Sequence, residues 1–228
     1  MSESFGTEPL PVEQRAALAL QLRGASVRDV AVMGAFERVP RELFAPHRFR
    51  DLANRDMALP IACGQTMPAP ADLARRIDAL GAGPQHRVLE IGAGSGYGAA
   101  VLSRLAREVV SMERFETLAI EASGRLSALA IHNARVLCED GLAPARSMGL
   151  FDRIIMHLSV EDPPMAVLDL LAPGGVMVFG RFLASAPGQR RRSRLIRLER
   201  SANGEMFSET DKGPCRLSGA IAGRALSL

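Results

Sequence analysis

The spacing of apolar positions changes near residue 87. Before it, apolar residues recur at helical intervals. Pro11 opens a helix over Val12–Arg23, which Gly24 stops. Ser26, with Asp29 three residues on, predicts a capping box for a second helix, which Pro40 ends. Phe44 to Pro68 is irregular and carries several turn residues. Pro70 opens a third helix with Leu73, Ile77 and Leu80 on its buried face, closed by Gly81.

From Arg87 onward, short apolar runs alternate with helical stretches. Val88–Ile91, Val109–Met112, Ala134–Cys138, Phe151–His157 and Val176–Phe179 predict strands. Helices are expected from a glycine turn to about Leu105, over Thr117–Leu129, and over Met165–Leu171 before Pro173-Gly174-Gly175. This alternation predicts a parallel sheet covered on both faces. Leu195–Glu199, an Asn203-Gly204 turn and Glu205–Ser208 predict a β-hairpin. A last strand is expected within Arg216–Ala222, and a loose tail over Met1–Pro9. The expected fold is α/β: a doubly wound, mostly parallel, seven-stranded sheet with a helical N-terminal segment and a C-terminal hairpin. Residues 1–80 are expected to cover the active site of a cofactor domain spanning 81–228, the two forming one structural unit.

Composition narrows the function. The chain has 228 residues, enough for one large domain with a core. Trp is absent and Tyr97 is the sole Tyr, which argues against recognition by stacked aromatics. The net charge of +3 permits acidic partners without requiring them, and Arg190–Arg200 holds much of the positive charge. Arg190-Arg191-Arg192 reads as a solvated loop, so no nucleic-acid partner is expected. Cys63, Cys138 and Cys215 are scattered, with no zinc spacing and no disulfide framework, so no metal is expected. No signal segment or membrane-length apolar run is visible, and the expected location is cytoplasmic, away from any membrane.

The densest chemical signal is Val88-Leu89-Glu90-Ile91-Gly92-Ala93-Gly94-Ser95-Gly96-Tyr97-Gly98. A buried strand delivers an acid, and then a glycine turn opens a helix where open α/β sheets bind ligands. A dinucleotide G-x-G-x-x-G fails from Gly92, because Tyr97 takes its last position. From Gly94 it ends at Ala99, a tolerated variant, but two residues further from the strand. A P-loop would need Gly-Lys-Ser/Thr. The pattern E-x-G-x-G-x-G fits an S-adenosylmethionine turn of a Rossmann-like class I methyltransferase. A purely packing turn is the plain alternative, and titration with NAD separates the dehydrogenase reading. Glu113, about 20 residues after the turn, is placed for the ribose hydroxyls. Asp140-Gly141 is placed for an adenine edge, though Asp-Gly is also a common turn. Glu90, Gly92, Ala93, Gly94, Ser95, Gly96, Glu113, Arg114, Asp140 and Gly141 make up the expected cofactor set.

Several stretches resemble one family. They are Arg38-Val39-Pro40-Arg41-Glu42-Leu43-Phe44, Asp56, Leu59-Pro60-Ile61, Gly64-Gln65-Thr66 and Pro70. Val88–Leu102, Asp140-Gly141, Phe151-Asp152 and Leu171-Ala172-Pro173-Gly174-Gly175 continue the likeness. Together they resemble the protein-L-isoaspartate O-methyltransferase family over nearly the whole chain. The resemblance implies S-adenosyl-L-methionine as cofactor and a protein or peptide bearing a free carboxylate as substrate. The methyl group goes to an isoaspartyl residue of a damaged protein, and the ester then cyclises to a succinimide unaided. A carboxylate is already ionised at neutral pH, so no general base is required. Alignment of the reacting groups suffices.

The chain departs from the family pattern at three places. Pro68 stands where a Ser hydroxyl would face the reacting groups, Leu158-Ser159 replaces two small residues, and Asn54 replaces a Tyr. Thr66 is then the candidate catalytic hydroxyl, with a turn or cap role as its plain alternative. A same-family enzyme with a changed acceptor, or a cofactor-binding protein without isoaspartyl activity, are the rival readings. His157, at a strand end facing the site, is a weaker candidate for substrate contact. Cys63 reads as a small apolar filler.

Overall fold

The computed structural model describes residues 11–184 and 191–225. The expected Met1–Pro9 tail and Arg190 of the basic stretch lie outside these residues. Helix α1 (Val12–Gly24) is followed by α2 (Val30–Arg38). Asp29 caps α2, its Oδ1 accepting from the Ala31 and Val32 amides at 2.7 and 3.4 Å. The expected capping box does not form, because Ser26 sits at φ 68° in the turn between the helices. A 3₁₀ turn, Arg41–Leu43, leads into the stretch 44–68, which is largely irregular as expected and holds a second 3₁₀ turn, His47–Leu52. A small hairpin follows, pairing β1 (Leu59–Pro60) with β2 (Thr66–Met67).

One side chain organises that stretch. Arg41 is buried, and its guanidinium donates to the carbonyls of Ala53 (2.6 Å), Met57 (2.9 Å) and Pro68 (2.9 Å). Three separated points of an irregular loop are thereby held by one cation.

Helix α3 (Pro70–Leu80) starts on a proline and stops at Gly81, which takes φ 62°. The alternating part then runs β3 (Arg87–Ile91), α4 (Tyr97–Ser103), β4 (Glu108–Glu113), α5 (Glu116–Ala128), β5 (Ala134–Cys138) and β6 (Phe151–Val160). It continues with α6 (Met165–Leu168), β7 (Leu171–Phe182), β8 (Ser193–Arg200) and β9 (Phe207–Cys215). Seven strands form one sheet in the order β5-β4-β3-β6-β7-β8-β9. β3 to β7 are parallel, and β8 and β9 are antiparallel to their neighbours.

Two expectations need correction. Helix α6 ends at Leu168 rather than Leu171, because Leu171 already pairs with Phe151 and begins β7. Pro173, which has no N–H, and Gly174, at φ 74°, then shift the β6–β7 register so that Arg153 meets Val176. The last strand expected within Arg216–Ala222 is not a strand. This segment crosses the ends of the sheet strands, so it makes one single-residue bridge there, Ser159 with Gly219, and a second beyond it, Phe115 with Ala225.

Alternation along the strands sorts the core. Val88, Val109, Ile155 and Val178 join the cluster containing α2, α3 and α4. Leu89, Ile91, Val110, Met112, Ile154 and Met156 build the cluster on the other face. By the same period of two, Glu90, Ser111 and His157 fall on the face of α3 and α4. Replacing Arg41 by Met is expected to lower unfolding free energy by about 2–3 kcal/mol, because buried carbonyls lose a charged donor. Urea denaturation of both proteins checks this.

Candidate active site

The carboxyl ends of β3, β4, β5 and β6 open onto a cleft of about 520 Å³, a size that suits a nucleoside-bearing ligand. The glycine turn forms its floor. Gly92 (φ 91°) and Gly94 (φ 54°) adopt left-handed geometry that other residues rarely take. Gly98 is required by proximity: a Cβ there would lie 2.1 Å from Glu90 Oε1. At Gly141 a Cβ would lie 2.4 Å from Ile91 Cγ2. Both bare positions make room for side chains of β3, Glu90 and Ile91, beneath the cleft.

The expected residues converge, with one exception. Thr66, Glu90, Gly92, Ala93, Gly94, Ser95, Glu113, Arg114, Asp140 and Gly141 all line the cleft. Gly96 is not among the lining residues. It is the N-cap of α4, and a Cβ there would meet Ala122 of α5 at 3.0 Å. Its bareness therefore serves helix packing, which the motif pattern alone does not distinguish from ligand approach.

Glu113 and Asp140 are engaged from within the chain. Glu113 Oε2 accepts from the Gly94 amide (2.8 Å) and Oε1 from the Phe115 amide (3.0 Å), which ties the turn to the end of β4. Asp140 Oδ1 accepts from the Leu142 amide (2.9 Å) and Oδ2 from the Gly223 amide (2.7 Å). Each carboxylate oxygen keeps a lone pair for a ligand hydroxyl or amine. Arg114 donates through Nε to the Gly223 carbonyl at 2.8 Å.

These last contacts belong to a strap missed in the sequence. Residues 216–225 leave β9, bond Ser159 through the Ser218 carbonyl (2.7 Å) and the Ala220 amide (2.9 Å), and pass to Gly223. Ala225 then accepts from Glu116 and donates to the Arg114 carbonyl. Arg216, Leu217, Ser218, Gly219 and Ile221 line the cleft. The signal in the sequence was a short stretch of mixed apolar residues broken by Gly219 and Gly223, which fits an edge strand or a plain loop equally well.

A buried polar chain crosses β3, from Ser111 of β4 through Glu90 to His157 of β6 and Arg76 of α3. Glu90 is fully buried; Oε2 accepts from Ser111 Oγ (2.5 Å), and Oε1 pairs with His157 Nε2 (2.9 Å). His157 Nδ1 meets Arg76 Nη1 at 2.7 Å. An arginine can only donate, so Nδ1 accepts and the proton sits on Nε2, donating to Glu90. Burial and the Arg76 charge hold the His157 pKa below its ordinary value. Burial pushes Arg76 down to about 10, which leaves it charged at neutral pH. The sequence marked His157 but missed Arg76. The signal was present: 73, 76, 77 and 80 form one helical stripe, and position 76 is its single charged member.

Thr66 is exposed at the rim on β2, opposite the glycine turn. Pro68 lines the same wall, and its carbonyl is held by Arg41. Tyr97, the first residue of α4, packs against Phe36 (5.9 Å between ring centroids) and Phe44 (5.4 Å), joining the N-terminal helices to the turn.

Residues 13–216 match the sequence profile of the family described as Protein-L-isoaspartate(D-aspartate) O-methyltransferase. The chain belongs to this family. It is 45% identical over 194 residues to protein-L-isoaspartate O-methyltransferase 2 of Rhodopseudomonas palustris strain HaA2, covering 85% of this chain and 87% of that one. It is 42% identical over 219 residues to the protein-L-isoaspartate O-methyltransferase of Maricaulis maris, covering 96% and 99%. Among solved structures, a protein-L-isoaspartate O-methyltransferase superposes with a TM-score of 0.77 at 25% identity, over 91% of this chain and 66% of that one. A Plasmodium falciparum protein assigned to the same enzymes, in complex with S-adenosyl-L-homocysteine, superposes with a TM-score of 0.74 at 19% identity. It covers 91% of this chain and 98% of that one, and shows that the family fold, a Rossmann-like α/β sheet, is shared.

Gly98→Ala is expected to push Glu90 off His157 and to weaken S-adenosylhomocysteine binding by about tenfold or more, read by calorimetry. A second expectation concerns pH. With its pKa lowered by folding, His157 contributes stability that is full above the unfolded value of about 6.5 and is lost as pH falls through the folded value. His157→Asn is expected to flatten the fall in urea midpoint between about pH 7 and pH 5 relative to the wild type.

Proposed function

We propose that this chain is an S-adenosyl-L-methionine-dependent protein-L-isoaspartate O-methyltransferase, methylating the free carboxylate of isoaspartyl residues in damaged proteins. The observation that carries this reading is a glycine-floored cleft walled by Thr66–Ala69, in a chain matching the family over residues 13–216. In this reading Glu113 takes the ribose hydroxyls, Asp140 and Gly141 the adenine edge, and Gly92–Ser95 with Glu90 and Arg114 the remainder. When bound, the cofactor supplies a methyl group on a sulfonium, which a carboxylate oxygen accepts to give an ester and a neutral thioether.

The protein's own task is alignment and exclusion of water. Of the 1–80 segment expected to cover the site, the described residues 11–80 serve as the cover: Arg41 fixes the Thr66–Ala69 wall, and Tyr97 anchors Phe36 and Phe44 on the turn. Thr66 is the hydroxyl offered to the reacting groups. The acceptor is a polypeptide, and the location is cytoplasmic; three free cysteines support a reducing compartment. Among the described residues no helix is long and apolar enough to cross a membrane.

Incubation with labelled cofactor and an isoaspartyl peptide tests the reading. Base-labile methyl esters are expected; cofactor binding without turnover would eliminate it. Pro68 favours one second reading, a changed acceptor, since proline brings neither hydroxyl nor N–H to the wall. Under the first reading Pro68→Ser adds a donor for a charged oxygen, and kcat/KM for the isoaspartyl peptide is expected to rise about tenfold. An unchanged value would show that this hydroxyl does not limit the reaction.

A further inference from the structure

Arg76 is a buried cation that the Asp72 and Glu90 carboxylates support from a distance but that no carboxylate among the described residues contacts directly. It is 4% exposed, and among the described residues it forms no ion pair with a carboxylate. Its Nε donates to the Asp72 carbonyl at 3.1 Å and its Nη1 to His157 Nδ1 at 2.7 Å. The Nη2 group takes no partner among the described residues, although the residue lines the cleft. A buried charge is costly unless it is paired, and none of these neighbours pairs this one directly. The Glu90 carboxylate does not neutralise it directly, because the His157 ring stands between them.

The position of Arg76 says what would pair it. Glu113 and Asp140 stand at the ends of β4 and β5, on one side of β3. Arg76 stands on the other, beside His157 of β6 and on the helix that follows Pro68 and Ala69. Arg75 reinforces the positive field there. It lines the same end, and its Nη2 donates to the Pro214 carbonyl while its buried Nε has no partner. The vacant guanidinium edge thus faces the half of the cleft left over for the acceptor.

We propose that Arg76 binds the carboxylate of the methyl acceptor through its Nη2 edge, with His157 as the neutral spacer that holds the guanidinium in place. This inference rests on the reading that the acceptor is a carboxylate. A planar guanidinium fixes a carboxylate by hydrogen bonds of set direction, which a rotating ammonium does not. Because His157 accepts a hydrogen bond from Arg76 on one nitrogen and donates one to Glu90 from the other, the neutral ring sets the spacing between the two charges.

The test uses the full chain loaded with S-adenosylhomocysteine, titrated by calorimetry with an isoaspartyl peptide and with the same peptide carrying a neutral carboxamide at the isoaspartyl α-carbon. The wild type is expected to prefer the carboxylate by about tenfold or more. Arg76→Gln, which keeps a donor for His157 but no charge, is expected to lose that preference while binding S-adenosylhomocysteine as before. Arg76→Lys is expected to weaken the carboxylate peptide by about threefold or more with cofactor affinity unchanged. A wild type without preference, or an Arg76→Gln protein that retains it, overturns the proposal. Should Arg76→Gln not melt cooperatively, Arg76→Lys decides, and unchanged peptide affinity in it overturns the proposal. Methyl transfer by the wild type is measured alongside. Carboxylate preference without transfer removes the repair reading and leaves the anchor; transfer with Arg76→Gln unaltered does the reverse.

Discussion

The arrangement of the cleft depends on how one buried carboxylate is satisfied. Glu90 is wholly removed from water at the end of β3, where an unpaired negative charge would be intolerable. Ser111 and His157 answer it from the neighbouring strands β4 and β6. His157 can donate to it because Arg76 already occupies the other ring nitrogen. The backbone of α4 can pass alongside because position 98 has no side chain. Losing either direct donor, Ser111 or His157, or adding a side chain at position 98, shifts the carboxylate, and the turn that begins two residues later shifts with it.

Around this centre the chain builds two unlike halves. One is set by backbone: Glu113 grips the Gly94 amide, and Asp140 grips Leu142 and Gly223. The other is set by long cationic side chains reaching out of helices and turns, Arg41 to the loop and Arg76 to the strand end. Backbone contacts define a fixed outline, as recognition of an invariant cofactor needs. Side chains on separate elements admit a partner that varies outside one chemical group, as a polypeptide does.

Much of this was legible in the residues. Glycines in E-x-G-x-G-x-G announced a bare turn at a strand end, and Gly92 and Gly94 line the cleft there. The five parallel strands followed from apolar runs whose neighbours, packed on both faces, left no other solution. What resisted reading was long-range. Nothing within the neighbourhood of Gly96 says that its missing Cβ makes room for Ala122 of α5 rather than for a ligand. Ser26 and Asp29 had the right interval for a box, but the chain turned at Ser26 and left Asp29 to cap alone. Arg76 sat on an apolar stripe, and its meaning depends on a histidine 81 positions away in the chain. The segment after Cys215 carried no periodicity because it hydrogen-bonds to strand ends rather than running beside a strand.

The antiparallel pair at the sheet's edge has a geometric consequence. β7 runs toward the cleft, β8 runs away from it, and β9 returns. Parity decides on which side the polypeptide emerges. An even number of reversals delivers residue 216 to the rim it must bridge, whereas a single one would strand it at the far end of the barrier formed by the sheet. Two seemingly peripheral strands thus act as a there-and-back detour, and without the second of them the girdle over the nucleoside side would have nowhere to start.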